Sequence, residues 1–409
     1  MMLLMPCTST KAAAAVTLLV MAVVIFSVVV SPNLLSPVAA QNLSEQQQQR
    51  QEAESRLKVE TVASNLHIPW SIAFASDGRI FFTERAGNVQ VIEANGTLAK
   101  QPVAKIGAVA AIGEGGLLGL ALDPDFEKNH FVYLYYTYST IPFFGSANRV
   151  SKFTEKDNAL VNEQILLDKI PAASNHDGGR IKFGPDGKLY VATGDAANGS
   201  SSQDLGSLAG KILRINSDGT IPADNPFSNS PVYSYGHRNP QGFDWDPSTG
   251  KLVEAEHGPS GEKGLFAHDE VNVIEPGKNY GWPNVIGKAN DTRYVDPVLE
   301  TGNVTWAPSG ASFYHGDKIP EWKNKFLVAT LRGQHLEVMQ LDTSAENNKE
   351  AASSSSVVIS SEAIFQNMYG RLRDVQEGPD GYVYVLTSNT DGRGSPAVDD
   401  DKILRISPQ

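Results

Sequence analysis

Ile181-Lys-Phe-Gly-Pro-Asp-Gly187 runs almost directly into Leu189-Tyr-Val-Ala192, and this pairing decides the fold. Pro presets one backbone angle of the turn and Gly accepts a positive one, so two short apolar segments fold back on each other as a β-hairpin. The arrangement returns at Ile72-Ala-Phe-Ala-Ser-Asp-Gly78 before Ile80-Phe-Phe-Thr83, and at Leu120-Ala-Leu-Asp-Pro-Asp125 before Phe131-Val-Tyr-Leu-Tyr135. Three more copies follow the same plan: Phe243-Asp-Trp-Asp-Pro247 before Leu252-Val-Glu254, Ala311-Ser-Phe-Tyr-His315 before Phe326-Leu-Val-Ala329, and Val375-Gln-Glu-Gly-Pro-Asp-Gly381 before Val383-Tyr-Val-Leu386. They recur roughly every 50 to 70 residues, enough for one four-stranded sheet each. Six copies predict an all-β chain, a six-bladed β-propeller of four-stranded antiparallel sheets. No long stretch carries a 3.6-residue apolar period, which argues against βαβ units and helical solenoids. The terminal strand Ile403-Leu-Arg-Ile406 needs a partner, and Val59-Glu-Thr-Val62 is the early strand expected to close the last blade.

Outside the repeats, Lys11 precedes an apolar run from Ala12 to Val30, and Pro37-Val-Ala-Ala40 precedes polar Gln41. Residues 1–40 therefore read as an export signal cleaved after Ala40, or, because the run is near the length that spans a bilayer, as a retained N-terminal membrane anchor. Both readings put the folded domain outside the cytoplasm: secreted, periplasmic, or tethered to the outer face of the cytoplasmic membrane. Residues 41–57 are rich in Gln and Glu and suit a solvated linker, leaving 58–409 for the propeller. Of the 409 residues, 34 are Lys or Arg and 46 are Asp or Glu; the net charge of -12 repels a phosphate backbone and excludes nucleic acid as a partner. The single cysteine, Cys7, lies in the N-terminal segment, so redox chemistry in the folded part needs a bound cofactor. Asp342 to Ser356 is a low-complexity insert expected as a solvated loop, and Asn42, Asn95, Asn198, Asn290 and Asn303 each begin a glycosylation sequon.

The connections between hairpins are long and polar at 171–180, 194–210, 233–242, 255–284 and 303–310, and function is expected there. In Asn175-His-Asp-Gly-Gly-Arg180 the glycines let the backbone turn beneath an exposed imidazole, making His176 a candidate general base or, on the plainer reading, a structural hydrogen-bonding group. Tyr235-Gly-His-Arg-Asn-Pro240 offers Arg238 either to a developing negative charge or to a salt bridge. From Glu256-His-Gly-Pro259 through Asp269-Glu270 to Asn279-Tyr-Gly-Trp-Pro283, carboxylates mix with Gly and Pro that expose backbone carbonyls. Such oxygen ligands favour Ca²⁺ over Zn²⁺, an ordinary acidic loop being the alternative. Gly370-Arg-Leu-Arg-Asp374 puts Arg371 and Arg373 on one side of a strand, which suits a polycarboxylate or phosphate ligand or else a solvated charged edge.

Taken in order, these stretches resemble a known family. They are joined by Gly115-Gly-Leu-Leu-Gly119, Gly210-Lys-Ile-Leu-Arg-Ile215, Ile221-Pro-Ala-Asp-Asn-Pro226 and Thr305-Trp-Ala-Pro-Ser309. Nearly everything after about residue 58 is similar to the soluble glucose/sorbosone dehydrogenases, the aldose sugar dehydrogenases that use pyrroloquinoline quinone (PQQ). The resemblance implies a propeller with PQQ in a shallow cleft and an aldose sugar as substrate. His176 would take the proton of the C1 hydroxyl as hydride passes to the quinone, and Arg238 would polarise the quinone oxygen. It further implies Asn239 and Thr305 against the cofactor and Arg371 and Arg373 on its carboxylates. The carbonyls of Gly258 and Pro259 would hold a Ca²⁺, and Glu270 and Tyr280 a second, structural Ca²⁺ with Asp291 or Asn290. Electrons would leave to an external acceptor, a quinone or a cytochrome.

Three departures stand out. Thr330-Leu-Arg-Gly333 lacks the family's cofactor-binding lysine, leaving Arg332 as a substitute; Glu114 stands where glutamine is usual; and Ser260 to His268 is longer than usual. The competing readings are a non-catalytic propeller that binds glycans or proteins, and a Ca²⁺-dependent lactonase, which would need a carboxylate-rich metal centre rather than an arginine pair.

Overall fold

The computed structural model describes residues 47–48, 50–141, 145–289, 291–344 and 357–409. The signal or anchor expected in 1–40, the sequons at Asn42 and Asn290, and most of the low-complexity insert lie outside them. Among the described residues no helix is long and apolar enough to cross a membrane. Residues 50–55, in the linker, are helical.

Six four-stranded antiparallel sheets form a ring, and each of the six predicted hairpins supplies the first two strands of one blade. Blade 1 holds β2 (Pro69–Phe74), β3 (Ile80–Glu84), β4 (Asn88–Ile92) and β5 (Ala104–Lys105). Blade 2 holds β6 (Leu117–Leu122), β7 (Phe131–Ile141), β8 (Gly145–Lys156) and β9 (Ala159–Pro171). Blade 3 is β10 (Ile181–Phe183), β11 (Leu189–Thr193), β12 (Lys211–Ile215) and β13 (Val232–Tyr235); blade 4 is β14 (Pro240–Trp245), β15 (Leu252–Glu256), β16 (Glu270–Ile274) and β17 (Leu299–Glu300). Blade 5 is β18 (Pro308–Phe313), β19 (Phe326–Thr330), β20 (Leu336–Asp342) and β21 (Val357–Ile364). In blade 6, β22 (Leu372–Glu377), β23 (Val383–Thr387) and β24 (Ile403–Pro408) are closed by β1 (Leu57–Ala63), with Val59 opposite Ile406. The expected closure of the ring by the early strand is therefore observed. Four of the segments read as connections contain structure of their own: 194–210 holds a short 3₁₀ helix (Gly199–Gln203), 233–242 spans the end of β13 and the start of β14, 255–284 contains β16, and 303–310 runs into β18.

The core is divided as a propeller requires, into six apolar clusters that each lie between neighbouring blades. Leu189, Val191, Leu213 and Ile215 of blade 3 meet Leu118, Tyr133, Tyr135 and Val150 of blade 2, for example. Because inner strands are covered on both faces, β11 and β12 are buried along their whole length, whereas the outer β9 is largely exposed. Each large apolar side chain so buried contributes about 1.5–3 kcal/mol.

Charged groups bind the ring together at its centre. Arg180, just before β10, sends Nη1 to Asp374 Oδ2 at 2.9 Å and to Ser71 Oγ at 3.1 Å, and Nε to the Gln241 carbonyl at 2.9 Å. One guanidinium thus joins blades 1, 3, 4 and 6. Lys211, at the start of β12, is fully buried and donates Nζ to the carbonyls of Ser201, Ser202 and Ala209 at 2.6–3.1 Å, which pins the loop after β11.

Candidate active site

His176 sits in the loop before β10 with a left-handed φ of 63°. Its Nδ1 lies 2.8 Å from Asp195 Oδ1 in the loop after β11, and its Nε2 lies 3.0 Å from Asn175 Nδ2. An amide nitrogen only donates, so the network makes Nε2 the acceptor and gives the ring hydrogen to Nδ1, facing Asp195. Asp195 is itself held, its Oδ2 accepting Trp282 Nε1 at 2.8 Å. Gly194 permits the approach of the two loops, because a Cβ there would stand 2.0 Å from the His176 carbonyl oxygen. The imidazole was expected to be exposed; at 5% exposure it is buried instead, enclosed by Asp195 and Asn175, with its own backbone N–H given to Glu114 Oε2 at 3.0 Å.

Beside it opens a narrow cleft lined by Trp70, Arg85, Glu114, Asp177, His257 and Arg373 among others. Glu114 faces this cleft rather than solvent and forms a 2.6 Å ion pair with Arg393. Burial pushes the Asp177 carboxyl up to about 7 and the Arg373 guanidinium down to about 9. Two buried wall atoms, Arg373 Nε and His257 Nε2, have no hydrogen-bond partner among the described residues. Arg371 and Arg373 do share one side, as their spacing predicts, and both reach Asp391, at 2.8 and 3.6 Å. Burial opposes the charge on Asp391, but the two guanidinium groups outweigh it and hold the carboxyl below the usual range. Arg332 is exposed, and the residue before it in the turn after β19, Leu331, is buried and lines the cleft instead.

A second, smaller cavity gathers Arg238, Glu256, Gly258, Pro259, Glu270 and Tyr280, with Trp282 in its wall. Arg238 lies with its Cζ 5.4 Å from the Trp282 ring centre, donates Nη1 to the His257 carbonyl at 3.2 Å, and pairs with Glu262 Oε1 at 2.6 Å. Gly258 is cradled by backbone oxygens: a Cβ there would lie 2.0 Å from the Ala267 carbonyl and 2.2 Å from that of His268. The Tyr280 hydroxyl donates to the Val273 carbonyl and accepts the Glu275 N–H, which leaves its backbone carbonyl as the ligand it has to offer. Asn239 is fully buried, with Oδ1 accepting the Gly178 N–H at 3.0 Å and Nδ2 unpartnered. Thr305 is half-buried in a segment that Asp269 ties to Gly258: Asp269 Oδ2 accepts the Trp306 and Ala307 N–H groups, and its Oδ1 accepts that of Gly258.

Three residues of this neighbourhood escape sequence reading. Asp195 follows β11 in Thr193-Gly-Asp195, and only the fold shows that it faces a histidine 19 positions away. Asp391 and Glu262 sit in irregular loops with no local signature, although Glu262 belongs to the longer-than-usual segment after Pro259.

The propeller thus sets an enclosed histidine–carboxylate pair beside a cleft with arginines in its wall. The model of the family "Glucose / Sorbosone dehydrogenase" matches residues 66–404. The chain is 31% identical over 382 residues to aldose sugar dehydrogenase YliI of Escherichia coli, covering 87% of this chain and 94% of that one. It is 29% identical over 436 residues to quinoprotein glucose dehydrogenase B of Acinetobacter calcoaceticus, covering 84% and 87%. The solved PQQ-bound aldose sugar dehydrogenase of Streptomyces coelicolor superposes with a TM-score of 0.74 at 35% identity, covering 86% of this chain and 98% of that one. The chain belongs to the glucose/sorbosone dehydrogenase family and is an oxidoreductase.

Proposed function

We propose that the chain oxidises aldose sugars at C1 to the lactone, using PQQ and Ca²⁺, outside the cytoplasm, and hands electrons to an external quinone or cytochrome. The observation that carries this is the imidazole of His176, held by Asp195, beside a cleft whose wall brings together buried Arg373, half-buried Arg85 and exposed Arg393. The residues fit both groups. The unpartnered Arg373 Nε and His257 Nε2 and the paired Arg371 suit the carboxylates of PQQ, and the carbonyl cradle at Gly258 suits a hard cation. When bound, PQQ supplies the hydride acceptor and Ca²⁺ the Lewis acid beside it.

The chain's own part is acid–base and electrostatic. His176 Nε2 takes the proton of the sugar's C1 hydroxyl, displacing the Asn175 amide, while Asp195 holds the ring in that tautomer and steadies the imidazolium that forms. Arg238 brings a fixed positive charge to the centre where negative charge develops. Asn239 and Thr305 contact the cofactor, and Gly258 and Pro259 give carbonyls to its Ca²⁺. Glu270 and the Tyr280 carbonyl hold a second, structural Ca²⁺. Arg332, exposed, is left out of this set.

The test is sugar-dependent bleaching of an electron-acceptor dye by residues 41–409, with and without PQQ and Ca²⁺, across a panel of aldoses. Activity that needs both additions supports the proposal. A folded sample that neither binds PQQ nor turns over leaves the non-catalytic, ligand-binding propeller.

A further inference from the structure

Behind Arg238 lies a cluster that the sugar chemistry does not use. Glu254 and Glu256 stand two apart on β15 and project to the same face, where Asn272 of β16 is paired opposite Glu254. His237, in the loop before β14, stacks on the Tyr280 ring with centroids 4.7 Å apart, and its Nε2 bonds Ser234 Oγ at 2.8 Å, which turns Nδ1 toward the two carboxylates. One ligand atom from each of His237, Glu254 and Glu256 falls within 4.8 Å of the others, with His237 Nδ1 3.7 Å from Glu256 Oε1.

Among the described residues, three atoms here are buried without a hydrogen-bond partner: His237 Nδ1, Glu254 Oε1 and Asn272 Oδ1, on residues that are all 0% exposed. Among the described residues, the groups that meet the carboxylates are the Asn272 amide at 3.3–3.4 Å, which Glu270 Oε2 shares at 3.4 Å, and the Arg238 backbone N–H at 2.8 Å, neither a full positive charge. Two buried carboxylates facing each other without a cation are costly, and buried polar groups in native proteins are almost always satisfied. A protonated carboxyl would ease the repulsion, but at 3.7 Å Glu256 Oε1 is still beyond hydrogen-bond reach of His237 Nδ1.

We propose that His237, Glu254 and Glu256 form a buried divalent-cation site, adjacent to the Ca²⁺ site assigned to Glu270 and Tyr280 and selective for an ion such as Zn²⁺ or Mn²⁺. The imidazole sets the selectivity. Ca²⁺ takes an all-oxygen shell at 2.3–2.6 Å, whereas a mixed nitrogen and carboxylate set suits a transition ion at about 2.0–2.2 Å, which closes the present spacing with shifts of roughly half an ångström. The site also has a structural consequence for its neighbour. Glu256 Oε2 accepts the Arg238 N–H, so an ion on Glu256 Oε1 fixes the backbone from which Arg238 projects.

The full chain, without PQQ, is stripped with EDTA, dialysed against Zn²⁺ or Mn²⁺, and its bound metal counted beside Glu254→Gln, a near-isosteric change remote from the cleft residues. The expected result is one equivalent fewer in E254Q, with a smaller rise in Tm on adding the metal. Equal stoichiometry in the two proteins overturns the proposal. X-ray absorption at the zinc edge of the wild-type chain gives a reading that does not depend on the variant's folding. A shell containing one imidazole supports the site, and a shell with none overturns it. Because no sugar, dye or PQQ enters, this outcome is separate from that of the dehydrogenase test.

Discussion

Glu262 Oε1 stands 2.6 Å from Arg238 Nη2, so the arginine assigned to transition-state charge already carries a counter-ion from this chain's own long segment. Burial opposes the charge on Glu262, but the guanidinium outweighs it and keeps the carboxyl below its usual range. The carboxylate cancels part of the field that Arg238 offers the cavity it lines. Glu262→Gln keeps the length of the side chain and removes its charge. The Glu262 side chain is 36% exposed, and such a pair is worth at most about 1 kcal/mol. Turnover with PQQ and Ca²⁺ is expected to rise, up to about five-fold, with little change in sugar KM. A fall in kcat would show that Glu262 orients Arg238 rather than screening it.

Asp195→Asn tests the base. The amide can still accept from His176 Nδ1–H, but it no longer stabilises the imidazolium, and its NH₂ group conflicts with one of the donors that now meet the carboxylate, Trp282 Nε1 among them. The kcat is expected to fall by roughly two to four orders of magnitude, as on loss of a general base or its orienting carboxylate. His176→Ala should fall as far. Unchanged PQQ affinity by absorbance titration in both variants would locate the loss in proton transfer; near-wild-type turnover in His176→Ala would remove it from the mechanism.

The fold was legible because each blade begins with a hairpin whose turn chemistry is local: Pro185-Asp-Gly187 and Pro379-Asp-Gly381 need no distant partner to specify it. The arginine pair was legible for the same reason, since the period of a strand alone puts Arg371 and Arg373 on one side. What the sequence hid was pairing at a distance. Asp195 meets His176 across two loops, Asp391 meets Arg371 from 20 positions away, and Glu262 meets Arg238 across an irregular turn. The burial of His176 was hidden too, since a Gly-rich loop reads as exposed until the blades around it are assembled.

Asp391 pairs with Arg371 and Arg373, the two groups proposed to hold the carboxylates of PQQ. Arg371→Ala removes a charge-assisted contact and is expected to weaken PQQ binding by about 1.5–3 kcal/mol, roughly 10- to 150-fold. Asp391→Asn should do the reverse and tighten it, because the guanidinium groups lose their internal competitor. Fluorescence titration of both variants checks this. Weakened binding in Asp391→Asn would make Asp391 a support for the arginines and not a competitor.

Asp177 gives the cleft a pH dependence. Burial pushes its carboxyl up to about 7, so raising the pH through 7 adds a negative charge to a wall that faces an anionic cofactor. PQQ affinity should therefore fall across pH 6 to 8, by a few-fold. Asp177→Asn holds the neutral form at every pH and should flatten that part of the profile. A wild-type profile already flat there would show that Asp177 keeps one protonation state throughout.

The last prediction concerns the ring itself. Arg180 and Asp374 are both buried, 2.9 Å apart, and their pair joins blade 3 to blade 6 while Asp374 Oδ2 also accepts the Ile72 N–H of blade 1. Burial raises the Asp374 carboxyl, and Arg180 is the positive charge that opposes the rise. Arg180→Met keeps much of the volume packed on Trp70 but strands a buried carboxylate, a loss expected to cost about 3–5 kcal/mol. Adding Asp374→Leu removes the stranded charge, so the double variant should recover much of the loss, although the Ile72 N–H then goes unmet. Chemical denaturation of the four proteins measures the coupling between the two sites. Strict additivity would mean that the pair does not hold the blades together, and that Arg180 acts through Ser71 and the Gln241 carbonyl alone.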